Sequence, residues 1–211
     1  MVVMMDTQNI EQGSDAWFAE RIGAITASRI KDVVAKTAKS GYSASRKNYL
    51  AQLLCERMTG TKQESYTNAA MIHGIEQEPF ARSTYEMHRD GMVMEVGYVP
   101  HPTIAGSGAS PDGLVGEDGL LEIKCPNTAT HLEYLIAGEV PAEYKPQMAW
   151  QMACTGRKWC DFVSYDPRMP TKHQFFCIRY ERDDKYIAEL EAEVVKFIAE
   201  LEETIAKLEA L

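Results

Sequence analysis

The chain has 211 residues, 45% hydrophobic and 25% charged, a composition that suits one soluble domain with a sizeable core and excludes a disordered or fibrous chain. No apolar run approaches a bilayer span, and the first residues, Met1-Val2-Val3-Met4-Met5-Asp6, lack the basic region and long apolar run of a secretion signal, so a cytoplasmic protein without membrane contact is expected. The net charge of −9 weighs against a nucleic-acid partner only until its distribution is read: Glu181 to Leu211 carries ten acidic and four basic residues, whereas Gln12 to Ser65 carries five acidic and nine basic.

In chain order, residues 1–11 read as a lead-in without signal. Ser14 or Asp15 caps a short helix with Trp17 and Phe18 on its apolar side, ended by Gly23. Thr26 or Ser28 is expected to cap a second helix through Ile30, Val33 and Val34. Arg21 followed by two hydroxyls near a helix start could cradle a phosphate, and ordinary capping explains the same residues. Ala35 to Ser45 reads as a polar loop, and Arg46 to Thr59 as an amphipathic helix stopped by Gly60. A helix is expected from Asn68, broken around Gly74 to Pro79 because a proline disfavours helix at the residue before it, and resumed at Phe80. Glu78, at that break, is a candidate water or metal ligand. Met92 to Val99 and Ile104 to Ala109 read as strands, the glycines of the second implying close backbone approach.

The centre of the chain is Ser110-Pro111-Asp112-Gly113-Leu114-Val115, a turn at Gly116-Glu117-Asp118-Gly119, and Leu120-Leu121-Glu122-Ile123-Lys124-Cys125-Pro126. Two apolar runs around such a turn predict a hairpin. Strand alternation puts Glu122 and Lys124 on one side and Leu121, Ile123 and Cys125 on the other. The hairpin can bring Asp112 back beside Glu122, giving two carboxylates and an ammonium at one point. Hard divalent cations take carboxylate and carbonyl oxygens, here Asp112, Glu122 and the Ile123 carbonyl, and activate water for attack on phosphorus while a lysine offsets charge. The pattern points to phosphodiester hydrolysis, although Glu-x-Lys alone is cheap and recurs at Glu143-Tyr144-Lys145.

Helices follow at Thr128 to Ala137 and Glu143 to Thr155, the second carrying Gln147 and Gln151. Cys160 to Tyr165 and Gln174 to Tyr180 alternate like strands. From Asp183 to Leu211 runs one amphipathic helix with Ile187, Leu190, Val194, Phe197, Leu201, Ile205 and Leu208 on its apolar stripe, placed against its own domain or a neighbouring subunit. The five cysteines show no Cys-x-x-Cys spacing and read as reduced thiols. The element order predicts a single α/β (α+β) domain over residues 1–211, with a mixed central β-sheet flanked by helices.

Trp17-x3-Arg21-x-Gly23-x-Ile25-Thr26-Ala27-Ser28, Gly74-x3-Glu78, Ser110-Pro111-Asp112-Gly113-Leu114, Glu122-Ile123-Lys124-Cys125-Pro126, Gln147 and Tyr165-Asp166-Pro167-Arg168-Met169 together resemble the phage lambda exonuclease and YqaJ-type viral recombinase family of alkaline exonucleases, from about Gln12 to the last helix. The resemblance implies a restriction-endonuclease-like PD-(D/E)xK core. It implies a Mg2+-dependent enzyme, with Mn2+ as an alternative, that uses two ions to digest one strand of linear double-stranded DNA processively from a 5'-phosphorylated end. Mononucleotides are released and a 3' single-stranded tail is left for annealing-based phage recombination in the bacterial host. A homotrimeric ring threaded by DNA and a single-strand annealing protein as partner are implied with it. By motif, Asp112, Glu122 and the Ile123 carbonyl would hold metal, Lys124 and Gln147 would act on the attacking water, and Glu78 would assist at the second ion. Arg21, Thr26, Ser28 and Ser110 would hold the 5' phosphate, and Met71 would be a wedge where the strands part. The chain departs from the family pattern at His73, in place of an aromatic, and at Gln151, in place of a tyrosine. A site-specific or structure-specific endonuclease on the same core and a non-catalytic DNA-binding or annealing-partner module are the competing readings.

Overall fold

The computed structural model describes residues 10–38, 41–63, 68–89 and 91–211, so most of the N-terminal lead-in lies outside the described residues. In chain order the elements are α1 (Asp15–Arg21), β1 (Ile25–Thr26), α2 (Ile30–Val34), α3 (Ala44–Thr59), α4 (Ala69–Arg89), β2 (Val93–Met94), β3 (Val99–Pro100) and β4 (Ser107–Ala109). They continue with β5 (Gly113–Val115), β6 (Gly119–Lys124), α5 (Thr128–Ala137), α6 (Lys145–Thr155), β7 (Trp159–Tyr165), β8 (Phe175–Glu181) and α7 (Asp184–Glu209).

The central sheet has five strands in the order β2-β5-β6-β7-β8. Only the β6–β7 pair is parallel and the others are antiparallel, so the sheet is mixed, as the element order predicted. A parallel pair needs a long crossover, and α5 and α6 supply it. A smaller sheet, β1-β4-β3, stands beside the central one. The main core lies on the α6 side, where Leu120, Cys160 and Phe162 meet Met148, Trp150 and Met152, with α2, α3 and α7 packed outside them. On the opposite face, Leu121, Ile123, Cys125 and Val163 pack against Ala81 and Tyr85 of α4. With helices on both faces, β6 is buried along nearly its whole length.

Local chemistry explains most of the boundaries. Ser14 accepts the Trp17 N–H and caps α1, Asn127 accepts the Thr130 N–H and caps α5, and Asp183 accepts the N–H groups of Lys185 and Tyr186 and caps α7. Gly60, Gly138 and Gly156 close α3, α5 and α6 in the left-handed conformation. Burial along α7 ends at Leu201, so its apolar stripe packs on its own domain while Leu208 is partly exposed.

Four expectations are corrected. Thr26 does not cap the second helix through its side chain: a 3-10 turn over Ala27–Arg29 leads into α2, and the Thr26 hydroxyl faces that of Ser28 at 3.4 Å. Helix α4 is continuous through Pro79. Both Pro79 and Ile75, whose carbonyl loses its partner, lie on the solvent side, where water can satisfy the group that a buried proline would orphan. The strands before the hairpin are shorter than read, because Gly97 and the bend at residues 102–106 interrupt pairing. Helix α3 begins two residues early because Ser43 is its cap.

Arg46 joins α3 to two neighbours. Its Nε donates to the Val33 carbonyl at 3.0 Å, its Nη2 donates to Glu200 at 3.0 Å, and its guanidinium stacks on Tyr42. Replacing this buried arginine by alanine leaves the Val33 carbonyl unpaired and is expected to cost about 2–3 kcal/mol. The expected fall in melting temperature is about 5–10 °C, measurable by calorimetry.

Candidate active site

The register that pairs Gly113 with Leu121 and Val115 with Gly119 carries Asp112, the residue before β5, alongside Glu122. The turn relies on Gly116, whose φ of 53° is left-handed. Beneath it, Arg157 Nη1 donates to the carbonyls of Gly116 at 2.8 Å and Gly119 at 2.7 Å, tying the hairpin to the start of β7. Asp112 Oδ2 accepts the Ile123 N–H at 2.6 Å, which locks the carboxylate across the strand from Glu122.

Glu122 is fully buried. Gln147 Nε2 donates to its Oε1 at 2.6 Å, and Gln151 Nε2 donates to its Oε2 at 2.6 Å. Lys124 Nζ pairs with Oε1 as well, and lies 5.3 Å from the centre of the Tyr144 ring. Glu78, from the opposite helix, approaches the same point while accepting a hydrogen bond from Arg82 Nη2 at 2.7 Å. Of these groups Glu78, Lys124 and Tyr144 line a cleft of about 510 Å³, with Met71, Gly74 and Ile75 among others, while Glu122 is buried behind Lys124. The structure therefore brings together Asp112, Glu122, Lys124, Gln147 and Glu78, with Ile123 between the carboxylates. Arg82, Tyr144 and Gln151 join them without having been singled out as site residues in the sequence. Of these, Gln151 had a detectable signal, since it follows Gln147 by four residues on one helix face.

The electrostatics follow from crowding like charges out of water. Burial, then the facing Glu122 carboxylate, pushes the Asp112 carboxyl well above its usual range. Burial also raises Glu78, with Arg82 and Lys124 opposing it. For Lys124, burial acts to lower the ammonium, but the Glu122 and Asp112 carboxylates outweigh it and raise it. Lys124 is thus a fixed cation across the working pH range, suited to offsetting negative charge and not to acting as a base. Facing carboxylates, one of them paired with an ammonium, are a donor set for a hard divalent cation, which would be held by one or two carboxylates and would keep several waters. Among the described residues no group of three or more His, Cys, Asp or Glu side chains is arranged to hold a metal ion by itself, so a cation here would rely on two carboxylates, a backbone carbonyl and water.

A second pocket, of about 320 Å³, is lined by Arg21, Thr26, Ser28, Lys62 and Met71 among others. Arg21 stacks on Trp17 at 3.7 Å, and both donate to the Ser110 hydroxyl, Arg21 Nη1 at 3.1 Å and Trp17 Nε1 at 3.0 Å. Ser110 thus orients the guanidinium. Met71 lines both this pocket and the carboxylate cleft, and so stands at their junction. His73 is partly buried on α4, and its Nε2 makes no hydrogen bond among the described residues.

The segment after Lys124 is braced from β7. Arg168 Nη2 donates to the Pro126 carbonyl at 2.9 Å, while Asp166 accepts the Arg168 Nε at 2.6 Å and the Thr128 hydroxyl at 2.6 Å. Burial alone would raise the Asp166 carboxyl, but the hydrogen bonds from Arg168 and Thr128 outweigh it and hold the group down at about 2. With the folded value below the unfolded one near 3.9, this contribution is present above about pH 4 and is lost as pH falls toward about 2. The stability difference between wild type and Asp166→Ala, read by urea unfolding, is therefore expected to shrink by about 2 kcal/mol between pH 5 and pH 2.

Among curated proteins none matches this chain. The crystal structure of an alkaline exonuclease, LHK-Exo, from Laribacter hongkongensis matches with a TM-score of 0.88 at 55% identity, over 93% of this chain and 97% of that one. A crystal structure of LHK-Exo in complex with dAMP matches at 56% identity with the same TM-score and coverage. A phage related exonuclease from Haemophilus somnus 129PT shares the fold at a TM-score of 0.66, with 13% identity over 88% of this chain and 96% of that one. The family described as YqaJ-like viral recombinase domain matches residues 16–158, which contain the hairpin, α4, α6 and the Arg21 pocket. With that match and a relative more than half identical along nearly its whole length, the chain belongs to the YqaJ-like viral recombinase family, among its alkaline exonucleases.

Proposed function

We propose that the protein is a single-domain, Mg2+-dependent 5'-to-3' exonuclease that degrades one strand of linear double-stranded DNA to mononucleotides and leaves a 3' single-stranded tail. The observation that carries this reading is the adjacency of two clefts that share Met71: one lined by Glu78 and by Lys124, which pairs with the buried Glu122, the other lined by Arg21, Arg29 and Lys62 among others. Asp112, Glu122 and the Ile123 carbonyl would hold the cation, with Glu78 beside a second ion. A divalent cation there supplies Lewis-acid activation of water and charge neutralisation at phosphorus. Lys124 offsets the negative charge that grows on the phosphoryl oxygens, and Gln147 keeps the Glu122 carboxylate in place beside it. Arg21, Thr26, Ser28 and Ser110 bind the terminal phosphate through charge-assisted and hydroxyl hydrogen bonds, and Met71 separates the last base pair. The dAMP complex of LHK-Exo supports a nucleotide-sized product.

By the same resemblance the protein works as a homotrimeric ring in the cytoplasm of a bacterium carrying a phage or prophage, and hands its tails to a single-strand annealing protein. No helix of the described residues is long and apolar enough to cross a membrane.

The test is digestion of linear duplexes bearing a 5' phosphate or a 5' hydroxyl, beside a covalently closed circle, with Mg2+ or a chelator. Loss of the phosphorylated linear duplex alone, with mononucleotide products and full inhibition by chelator, is the expected result. Cutting of the circle would move the assignment to an endonuclease. Arg21→Ala is expected to cut the preference for the 5' phosphate by about 10- to 100-fold, the worth of one charge-assisted hydrogen-bond pair, and to leave hydroxyl-ended DNA degraded at its former slow rate.

A further inference from the structure

Gln151 has no part in the chemistry proposed above, yet it is fully buried and its amide reaches the centre of the site. Its Nε2 donates to Glu122 Oε2 at 2.6 Å, while Gln147 Nε2, one turn earlier, donates to Oε1 at 2.6 Å. The four-residue spacing delivers two amides from one helix face to the two oxygens of one carboxylate. The amide cannot face the other way, because a carboxylate only accepts. On its far side, Gln151 Oε1 receives the Cys160 thiol at 3.8 Å. Helix α6 has little freedom to shift, since Met148, Trp150 and Met152 are fully buried on either side of these positions. Both oxygens are buried, and Oε1 is the one that Lys124 also touches; since Lys124 lines the open cleft, Oε1 is the oxygen toward the cleft-lining lysine and Oε2 the one away from it.

We infer that Gln151 is a positioning residue for divalent-cation binding: by holding Oε2, it fixes the plane of the buried Glu122 carboxylate and keeps Oε1 turned toward Lys124. Partners that orient a metal-binding carboxylate typically contribute about 10- to 100-fold in metal affinity. The inference rests on the metal-nuclease reading of the same site.

The test is calorimetric titration of the full chain with Mg2+ in the absence of DNA, for wild type, Glu122→Ala, Gln151→Met and Gln151→Asn. The methionine keeps the length of the side chain without its donor, and the asparagine withdraws the amide by one methylene. Wild-type binding that depends on Glu122, together with about 10- to 100-fold weaker binding in folded Gln151 variants, is the expected result. Nuclease activity of those variants should recover as Mg2+ is raised, which a merely structural defect would not allow. Wild-type Mg2+ affinity in either folded Gln151 variant overturns the inference alone. Absent Mg2+ binding in wild type, or binding indifferent to Glu122→Ala, overturns the metal reading and this inference with it. Failure of both Gln151 variants to fold makes Gln151 a packing residue and equally overturns the positioning role.

Discussion

Lys124→Ala is expected to lower the rate of strand removal from a 5'-phosphorylated linear duplex by about 10²–10³-fold, the usual worth of one fixed donor aimed at developing charge. The loss should appear in kcat at saturating Mg2+ and DNA, because the ammonium meets charge that grows only as the phosphodiester bond breaks. The same substitution removes the cation that faces the Glu122 and Asp112 carboxylates. Stability should therefore fall as well, by about 2 kcal/mol in chelator. Lys124→Arg separates the two effects: it restores charge and hence most of the stability, but its wide planar head cannot occupy the position of a compact ammonium and activity stays low. An alanine variant that retained its rate within about two-fold would remove Lys124 from the reaction.

Asp112→Asn is expected to move activity and stability in opposite directions. An asparagine oxygen can still accept the Ile123 N–H, so the cross-strand lock survives. The burial and the Glu122 repulsion that push the native carboxyl up no longer act on a neutral amide. The metal-free variant should melt several degrees above wild type at pH 8, where the native Asp112 most nearly carries its charge, and less so near pH 5. Digestion should fall by a factor on the order of 10³, since one of two carboxylates for the cation is gone. Added Mg2+ should raise the melting point of wild type and not of the variant. A variant both inactive and less stable in chelator would show that Asp112 is held there for packing, not at a cost to stability for the sake of the cation.

What was legible in the sequence was local. The Gly116-Glu117-Asp118-Gly119 turn and the alternation around it fix the hairpin, and the hairpin alone places Asp112 beside Glu122. The cap at Ser14 and the stop at Gly60 were readable for the same reason. Pro79 misled because its effect depends on which side of the helix meets water, and that is decided by how Ala81 and Tyr85 seat α4 on the sheet. The spacing of Gln151 from Gln147 placed both on one helix face, but its partner, 29 residues away on another element, was not legible. Ser110 acts on Arg21 across 89 residues, and only the family motifs linked the two in advance. Nothing in a single glutamine or serine distinguishes such a contact from a solvated side chain.

Ser110, which orients the Arg21 guanidinium, and Asp112, whose carboxylate accepts the Ile123 N–H, stand two residues apart on one stretch of chain. Two residues of chain span at most about 7 Å and leave little slack. Under the proposed assignment this stretch is a ruler: the terminal phosphate is gripped at one mark and the scissile bond is met at the other, with no loop between them that could lengthen or shorten the interval. Product length then becomes a property of the backbone itself. Variants that weaken either end should slow the enzyme or loosen its grip, and still release single nucleotides.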